Sequence, residues 1–192
     1  IVAEQQDNRL YRLDPTTQKL SLFYDVGNRT PHPGIDGISL DPATGDLLVP
    51  DAPSGRILRI TSDGQKESVL LTGFVRPTSV ALAKDGTLYV CDEYGNAVYA
   101  VTPDGKRTVI ARMSLPDDVV LDTDGSLLVN SLDGLVWRVD PVARLQKRLV
   151  AGLSQPHGLA LDSQDNPIIA DAGYGKIFRL VLHQAPTATP DQ

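Results

Sequence analysis

Ser79-Val80-Ala81-Leu82-Ala83-Lys84-Asp85-Gly86-Thr87-Leu88-Tyr89-Val90-Cys91-Asp92 is the stretch that decides the fold. Two short apolar runs flank Lys84-Asp85-Gly86. Asp-Gly between such runs signals a hairpin, because Gly supplies the positive φ the turn needs. Working outward, Asp92-Glu93-Tyr94-Gly95-Asn96 reads as a polar turn and Ala97-Val98-Tyr99-Ala100-Val101 as a third strand. Thr102-Pro103-Asp104-Gly105 is another turn, with Pro suited to an early position and Gly to a later one. Arg107-Thr108-Val109-Ile110 is the fourth strand. Four short antiparallel strands in about forty residues make one propeller blade.

The first strand of this unit is written four times. Its other copies are Gly37-Ile38-Ser39-Leu40-Asp41, Asp118-Val119-Val120-Leu121-Asp122 and Gly158-Leu159-Ala160-Leu161-Asp162. A fixed period of about forty residues means one supersecondary unit stacked on copies of itself. Second strands recur at Asp46-Leu47-Leu48-Val49, Ser126-Leu127-Leu128-Val129 and Pro167-Ile168-Ile169-Ala170. Third strands recur at Arg56-Ile57-Leu58-Arg59-Ile60, Leu135-Val136-Trp137-Arg138-Val139 and Lys176-Ile177-Phe178-Arg179-Leu180. No helical period competes. The expected fold class is all-β, a β-propeller of four-stranded antiparallel blades. Residues 1–182 supply about four to five blades, near 1–33, 34–75, 76–114, 115–154 and 155–182. Blades pack face to face, so both faces of the inner strands should be buried, with small Ser39, Ala81 and Ala160 at close approaches.

The pattern begins and stops inside a blade. Ile1-Val2-Ala3-Glu4 matches a second strand, Leu10-Tyr11-Arg12-Leu13 a third and Leu20-Ser21-Leu22-Phe23 a fourth. After Leu180-Val181-Leu182 the last blade has no fourth strand. A fragment, or a ring completed by missing blades or a partner, is expected over closure by unusual strand sharing. Open edges and an apolar blade face would also favour self-association. Residues 183–192 are Pro/Thr-rich and read as a tail or linker of the kind common between secreted domains, so the expected location is extracytoplasmic.

Composition narrows the partners. The 192 residues carry 24 acidic and 18 basic side chains, a net charge of −6, with no basic run longer than two. Phosphate backbones need a basic face, so nucleic acid is excluded. Apolar runs are too short to span a membrane. Ile1-Val2-Ala3 has no charged region before it, so no signal peptide is read there, as in any mature chain. Cys91 is the one cysteine and lies in an apolar strand, so it reads as a buried inert thiol. Asn28-Arg29-Thr30 fits the glycosylation acceptor pattern.

The repeat resembles the NHL and SMP-30/gluconolactonase-like propellers, usually six-bladed. Arg76-Pro77-Thr78-Ser79-Val80-Ala81-Leu82 with Gly86-Thr87-Leu88-Tyr89-Val90-Cys91-Asp92 carries the likeness, as does Gln155-Pro156-His157-Gly158-Leu159-Ala160-Leu161-Asp162 with Ile168-Ile169-Ala170-Asp171. Leu115-Pro116-Asp117-Asp118-Val119 is similar to the Pro-Asp-Gly segment of the SMP-30 group. In lactonases of that group the resemblance implies a channel cation that polarises a lactone carbonyl, and a nearby Asp acting as base. Asp117 stands at the matching position. Thr78 stands where the group usually carries Asn, and the family's early Glu ligand has no counterpart. In NHL-type lyases His residues of Pro-His segments bind zinc, and only His157 fits that pattern.

The slot before each inner strand holds Asp36, Thr78, Asp117 and His157. In a propeller these positions converge on one mouth of the central channel. Asp36, Asp117 and His157 could hold a divalent cation there, calcium before zinc, with Asp117 also catalytic. Thr78, Asp118, Tyr94 and Tyr174 are the candidate ligand-binding residues, with Trp137 a further rim aromatic. His32 and His183 have no evident partner. Glu4, Asp51, Asp92, Ser131 and Asp171, after the second strands, read as turn caps. Arg12, Arg59, Arg138 and Arg179, in the third strands, read as partners of nearby carboxylates or as blade-face residues. Two functions follow: a module that binds a small-molecule or protein ligand at a polar channel mouth, or a metal-dependent lactonase, hydrolase or lyase.

Overall fold

The computed structural model describes residues 1–27 and 34–181. His32, His183, Asn28-Arg29-Thr30 and residues 183–192 lie outside the described residues. Among the described residues eighteen strands form five antiparallel sheets, each a blade of a β-propeller. The first blade holds β1 (Val2–Glu4), β2 (Arg9–Leu13) and β3 (Leu20–Asp25). The second holds β4 (Ser39–Leu40), β5 (Leu47–Asp51), β6 (Arg56–Ile60) and β7 (Glu67–Leu71). The third holds β8 (Pro77–Leu82), β9 (Leu88–Asp92), β10 (Ala97–Val101) and β11 (Arg107–Arg112). The fourth holds β12 (Pro116–Leu121), β13 (Leu127–Ser131), β14 (Leu135–Asp140) and β15 (Leu145–Val150). The fifth holds β16 (Pro156–Leu161), β17 (Pro167–Asp171) and β18 (Lys176–Arg179). Among the described residues no helix is long and apolar enough to cross a membrane.

Neighbouring blades share cores, and strand alternation assigns each residue to one of them. Leu47 and Val49 pack with Leu10, Ile35 and Leu58 toward the first blade. Leu48, one residue out of phase, packs with Val80, Leu88 and Val90 toward the third. Cys91, Val119, Leu127 and Val129 fill the next interface, and Leu128, Val136, Leu159 and Ile169 the last. Each such side chain stabilises the stack by about 1.5–3 kcal/mol. Trp137 packs partly buried against the core between the third and fourth blades. It is not a rim residue: its place in β14 opposite Val129 turns it to the sheet face.

Burial of both faces of the inner strands holds for β8, buried over Pro77–Ala81, and fails for β16. His157 and Ala160 in β16 alternate into the open, because among the described residues only the fourth blade packs on this strand. The decisive hairpin is a three-residue loop. Gly86 N–H donates to Ala83 O at 3.0 Å, Ala83 N–H donates to Thr87 O at 2.9 Å, and Gly86 takes φ 86°. That is a type I turn closed by a left-handed residue, which Gly adopts without cost.

At the end of the blades where this turn lies, the third-strand arginines meet the Asp residues that close the inner strands. Arg59 pairs with Asp41, Arg138 with Asp122, and Arg179 with Asp162 at 2.5 Å. Arg12 instead lies over the Phe23 ring, 5.0 Å from its centre. At the other end, Asp92 Oδ1 accepts from the Arg76 and Gly95 backbone at 2.7 and 3.3 Å. Asp171 accepts from Ser154, Gln155 and Tyr174 at 2.7, 3.0 and 3.1 Å. These carboxylates cap the following turn, as read from sequence, and also fasten the segment leading into the inner strand of their own blade.

Candidate functional site

The inner strands break register just where the candidate residues stand. Pro77 pairs with Asp92 and Ser79 with Cys91, leaving Thr78 off the ladder. Pro116 pairs with Ser131 and Val119 with Val129, leaving out Asp117 and Asp118. Pro156 pairs with Asp171 and Gly158 with Ala170, leaving out His157. A bulge frees a side chain from strict alternation and re-aims it. In three blades it turns the residue before the apolar run toward the axis end of the molecule or into the neighbouring blade.

The result is one polar cavity of about 310 Å³, lined by residues of all five blades. Gln5 comes from the first, Asp36 from the second, Arg76 and Glu93 from the third, Asp117 and Leu132 from the fourth, and His157 from the fifth. His157 Nδ1 lies 3.3 Å from Asp117 Oδ2, with the imidazole side chain 50% exposed and the carboxyl buried. Arg76 Nε donates to the buried Glu93 carboxylate at 2.6 Å, and its Nη2 reaches Asp36 at 3.5 Å. Gln5 Nε2 donates to Asp36 at 3.3 Å.

The electrostatics follow from burial. Asp117 is pushed up to about 8, first by desolvation and then by the negative Asp36, Asp118 and Glu93, against a smaller pull from Arg76. Asp36 is also raised, by burial, with Arg76 opposing. Cys91 is held well above the ordinary thiol range by burial and by Asp118, Asp117 and Asp92, as an inert core thiol should be.

Two other candidates, Thr78 of the same slot and Asp118 of the next, point elsewhere. Thr78 is buried, and its hydroxyl donates to Asp117 O at 2.7 Å. Asp118 lies between three blades: Oδ1 accepts from Ser79 Oγ at 2.6 Å and Val119 N at 2.9 Å, and Oδ2 from Leu159 N at 2.8 Å. Both fasten blades together rather than face the cavity. Tyr94 and Tyr174 are 60% and 53% exposed in the matching turns at the mouth end. Tyr94 lies beneath Arg76, whose guanidinium carbon is 5.4 Å from the ring centre. Tyr174 meets Phe178 edge-on at 6.4 Å.

Sequence reasoning missed Gln5, Arg76 and Glu93. A signal was present. Gln5 and Glu93 occupy one slot, directly after the capping carboxylate, and Arg76 stands where the other blades carry Gly34, Leu115 and Gln155. A charge in a slot that is otherwise uncharged marks a specialised copy.

The donors do not fit a divalent cation as arranged. Asp36 and Glu93 already share the Arg76 guanidinium, and Asp117 is engaged with His157. Among the described residues no group of three or more His, Cys, Asp or Glu side chains could hold a metal ion.

Neither known protein families nor curated proteins give a match to this sequence. Solved structures do. A catalytically inactive histidine-to-alanine variant of virginiamycin B lyase from Staphylococcus aureus, with quinupristin, is 21% identical at TM-score 0.68; the match covers 93% of this chain and 61% of that one. A gluconolactonase from Xanthomonas campestris is 19% identical at TM-score 0.69, covering 78% and 58%. A chain of a nidogen/laminin complex is 20% identical at TM-score 0.76, covering 90% and 67%. The chain thus spans about two thirds or less of the length of these structures. These likenesses are of fold, and they bear out the β-propeller expected from the repeat.

Proposed function

We propose that the channel mouth binds a small molecule and performs acid–base chemistry on it, with a cyclic ester as the substrate class. The observation that carries this reading is the contact between Asp117 and His157. A buried acid held protonated up to about 8 faces a half-exposed imidazole in a polar cavity. While Asp117 holds its proton, its O–H faces Nδ1 and Nε2 carries hydrogen, and Nε2 serves as an acid when the Asp117 proton passes to Nδ1 as the Nε2 proton leaves. Once Asp117 is ionised, Nδ1–H donates to Oδ2 and Nε2 is free to accept a proton. One pair therefore serves both halves of an elimination. With Asp117 ionised, Nε2 takes the proton as a C–H bond beside a carbonyl breaks and a C=C bond forms; the ester C–O bond breaks, and the leaving carboxylate takes that proton from Nε2, which returns Asp117 to its ionised form.

The fold neighbours support this class of reaction, since a lyase and a gluconolactonase stand among them. The lyase variant described as catalytically inactive lacks one histidine, consistent with a reaction that needs imidazole. Ligand binding without turnover is the second reading, favoured by exposed Tyr94 and Tyr174 at the mouth end. An extracytoplasmic location belongs to the same proposal, on the composition of residues 183–192, and cell fractionation tests it.

The experiment is incubation of the purified protein with a panel of cyclic esters, read by mass spectrometry. Elimination opens the ring at unchanged mass. His157→Ala should lower the rate by about 10²–10⁴-fold, the usual weight of a positioned acid or base. Ring opening with gain of water would replace elimination by hydrolysis. Tight binding without turnover would leave the second reading.

A further inference from the structure

We infer that the Arg76 guanidinium is the mouth's own cation, standing between Asp36 and Glu93 in the place a divalent ion would otherwise occupy. Asp36 and Glu93 belong to different blades, yet both line one cavity. Carboxylates brought together this way need a cation between them, because their mutual repulsion is strong where water is scarce. Arg76 supplies it. Nε lies 2.6 Å from Glu93 and Nη2 lies 3.5 Å from Asp36.

The residue is fixed from three sides. Its backbone N–H donates to Asp92 Oδ1 at 2.7 Å, its guanidinium lies over the Tyr94 ring at 5.4 Å, and Glu93 accepts from its side chain. An arginine keeps its charge throughout the accessible pH range, so this cation does not leave by titration. A divalent ion entering the cavity would meet a like charge and would have to take Asp36 and Glu93 from their partner. The inference rests on the geometry of the cavity and holds whether or not the mouth turns over an ester.

Cation binding to the full chain tests it, with manganese followed by water-proton relaxation and calcium by thermal melting. The parent protein and Arg76→Lys, which keeps a positive charge, should bind neither ion at millimolar concentration and melt alike with and without chelator. Arg76→Ala removes the charge and leaves Asp36, Glu93, Asp117 and His157 around one cavity. It should gain a manganese site at least about a hundredfold tighter than any in the parent, the scale of one like-charge contact removed. Arg76→Gln, which keeps a donor for Glu93, serves if the alanine variant does not fold. The idea is overturned if the parent carries a stoichiometric divalent ion that Asp36→Asn releases, or if folded Arg76 variants lacking the charge gain no site.

Discussion

Burial pushes Asp117 up to about 8, and that shift has two consequences. The first belongs to the proposed function, in which the acid or base role of His157 follows the Asp117 proton. The second concerns stability. The folded state binds the Asp117 proton up to about 8, against 3.8 for an ordinary Asp. Where the folded state holds more protons than the unfolded one, stability falls as pH rises. The Asp117 contribution is therefore fully present below 3.8, declines through the interval, and is gone once pH passes about 8. Asp117→Asn has no such proton to lose. Denaturant melts of the two proteins should show the variant gaining on the parent steadily between pH 4 and 8 and holding level above. A gap that stays constant with pH would remove Asp117 from this role. The sequence made Asp117 legible through its Pro-Asp segment and its slot, and likewise Asp36 and His157. It did not make the protonation state legible, because that depends on desolvation and on Asp36 and Glu93 arriving from other blades to join the adjacent Asp118.

At the scale of the element, the bulges in β8, β12 and β16 do the positioning. One slot in these strands yields a cavity residue in two blades and an inter-blade clasp in the third, while Asp36 reaches the cavity from the segment before β4. Thr78 and Asp117 occupy equivalent places, but Thr78 is short, and its hydroxyl finds Asp117 O at 2.7 Å. The next slot carries the stronger clasp. Asp118 joins Ser79 of the third blade to Leu159 of the fifth. Asp118→Ala leaves the Leu159 N–H and the Ser79 hydroxyl without that acceptor in a buried place, at a cost of about 1–3 kcal/mol for such an orphaned group. Asp118→Asn keeps one acceptor oxygen and should lose less. Urea unfolding measures both, and equal losses would show that the carboxylate oxygens do not act separately. Strand order, hairpins and the capping Asp residues were readable because each depends on a few neighbouring residues. Arg76 and Glu93 pair across 17 positions, and their meeting depends on how the turn after β9 folds over the start of β8.

For the whole molecule, the two ends of the blade stack have different work. One end repeats the same Arg–Asp pair in three blades, a fastening that varies little. The other end gathers unlike residues from five blades into a single mouth. Repeat architecture permits this, since each copy keeps the shared core while one slot is free to differ. The outer blades carry the remaining cost. Among the described residues, β18 borders its sheet with Ile177 76% exposed, and β3 exposes Leu20 and Leu22 on the first blade. Sheet borders with apolar side chains pair readily with another chain. The purified protein should therefore associate as its concentration rises, visible in sedimentation velocity as a growing weight-average coefficient. Ile177→Lys places a charge on the border strand and should shift that association to roughly tenfold higher concentration, about 1.4 kcal/mol of lost contact. The side chain projects into solvent, so the melting temperature should stay unchanged. A parent protein that sediments as a monomer at every concentration, or an Ile177→Lys variant that associates as the parent does, would place the contact elsewhere.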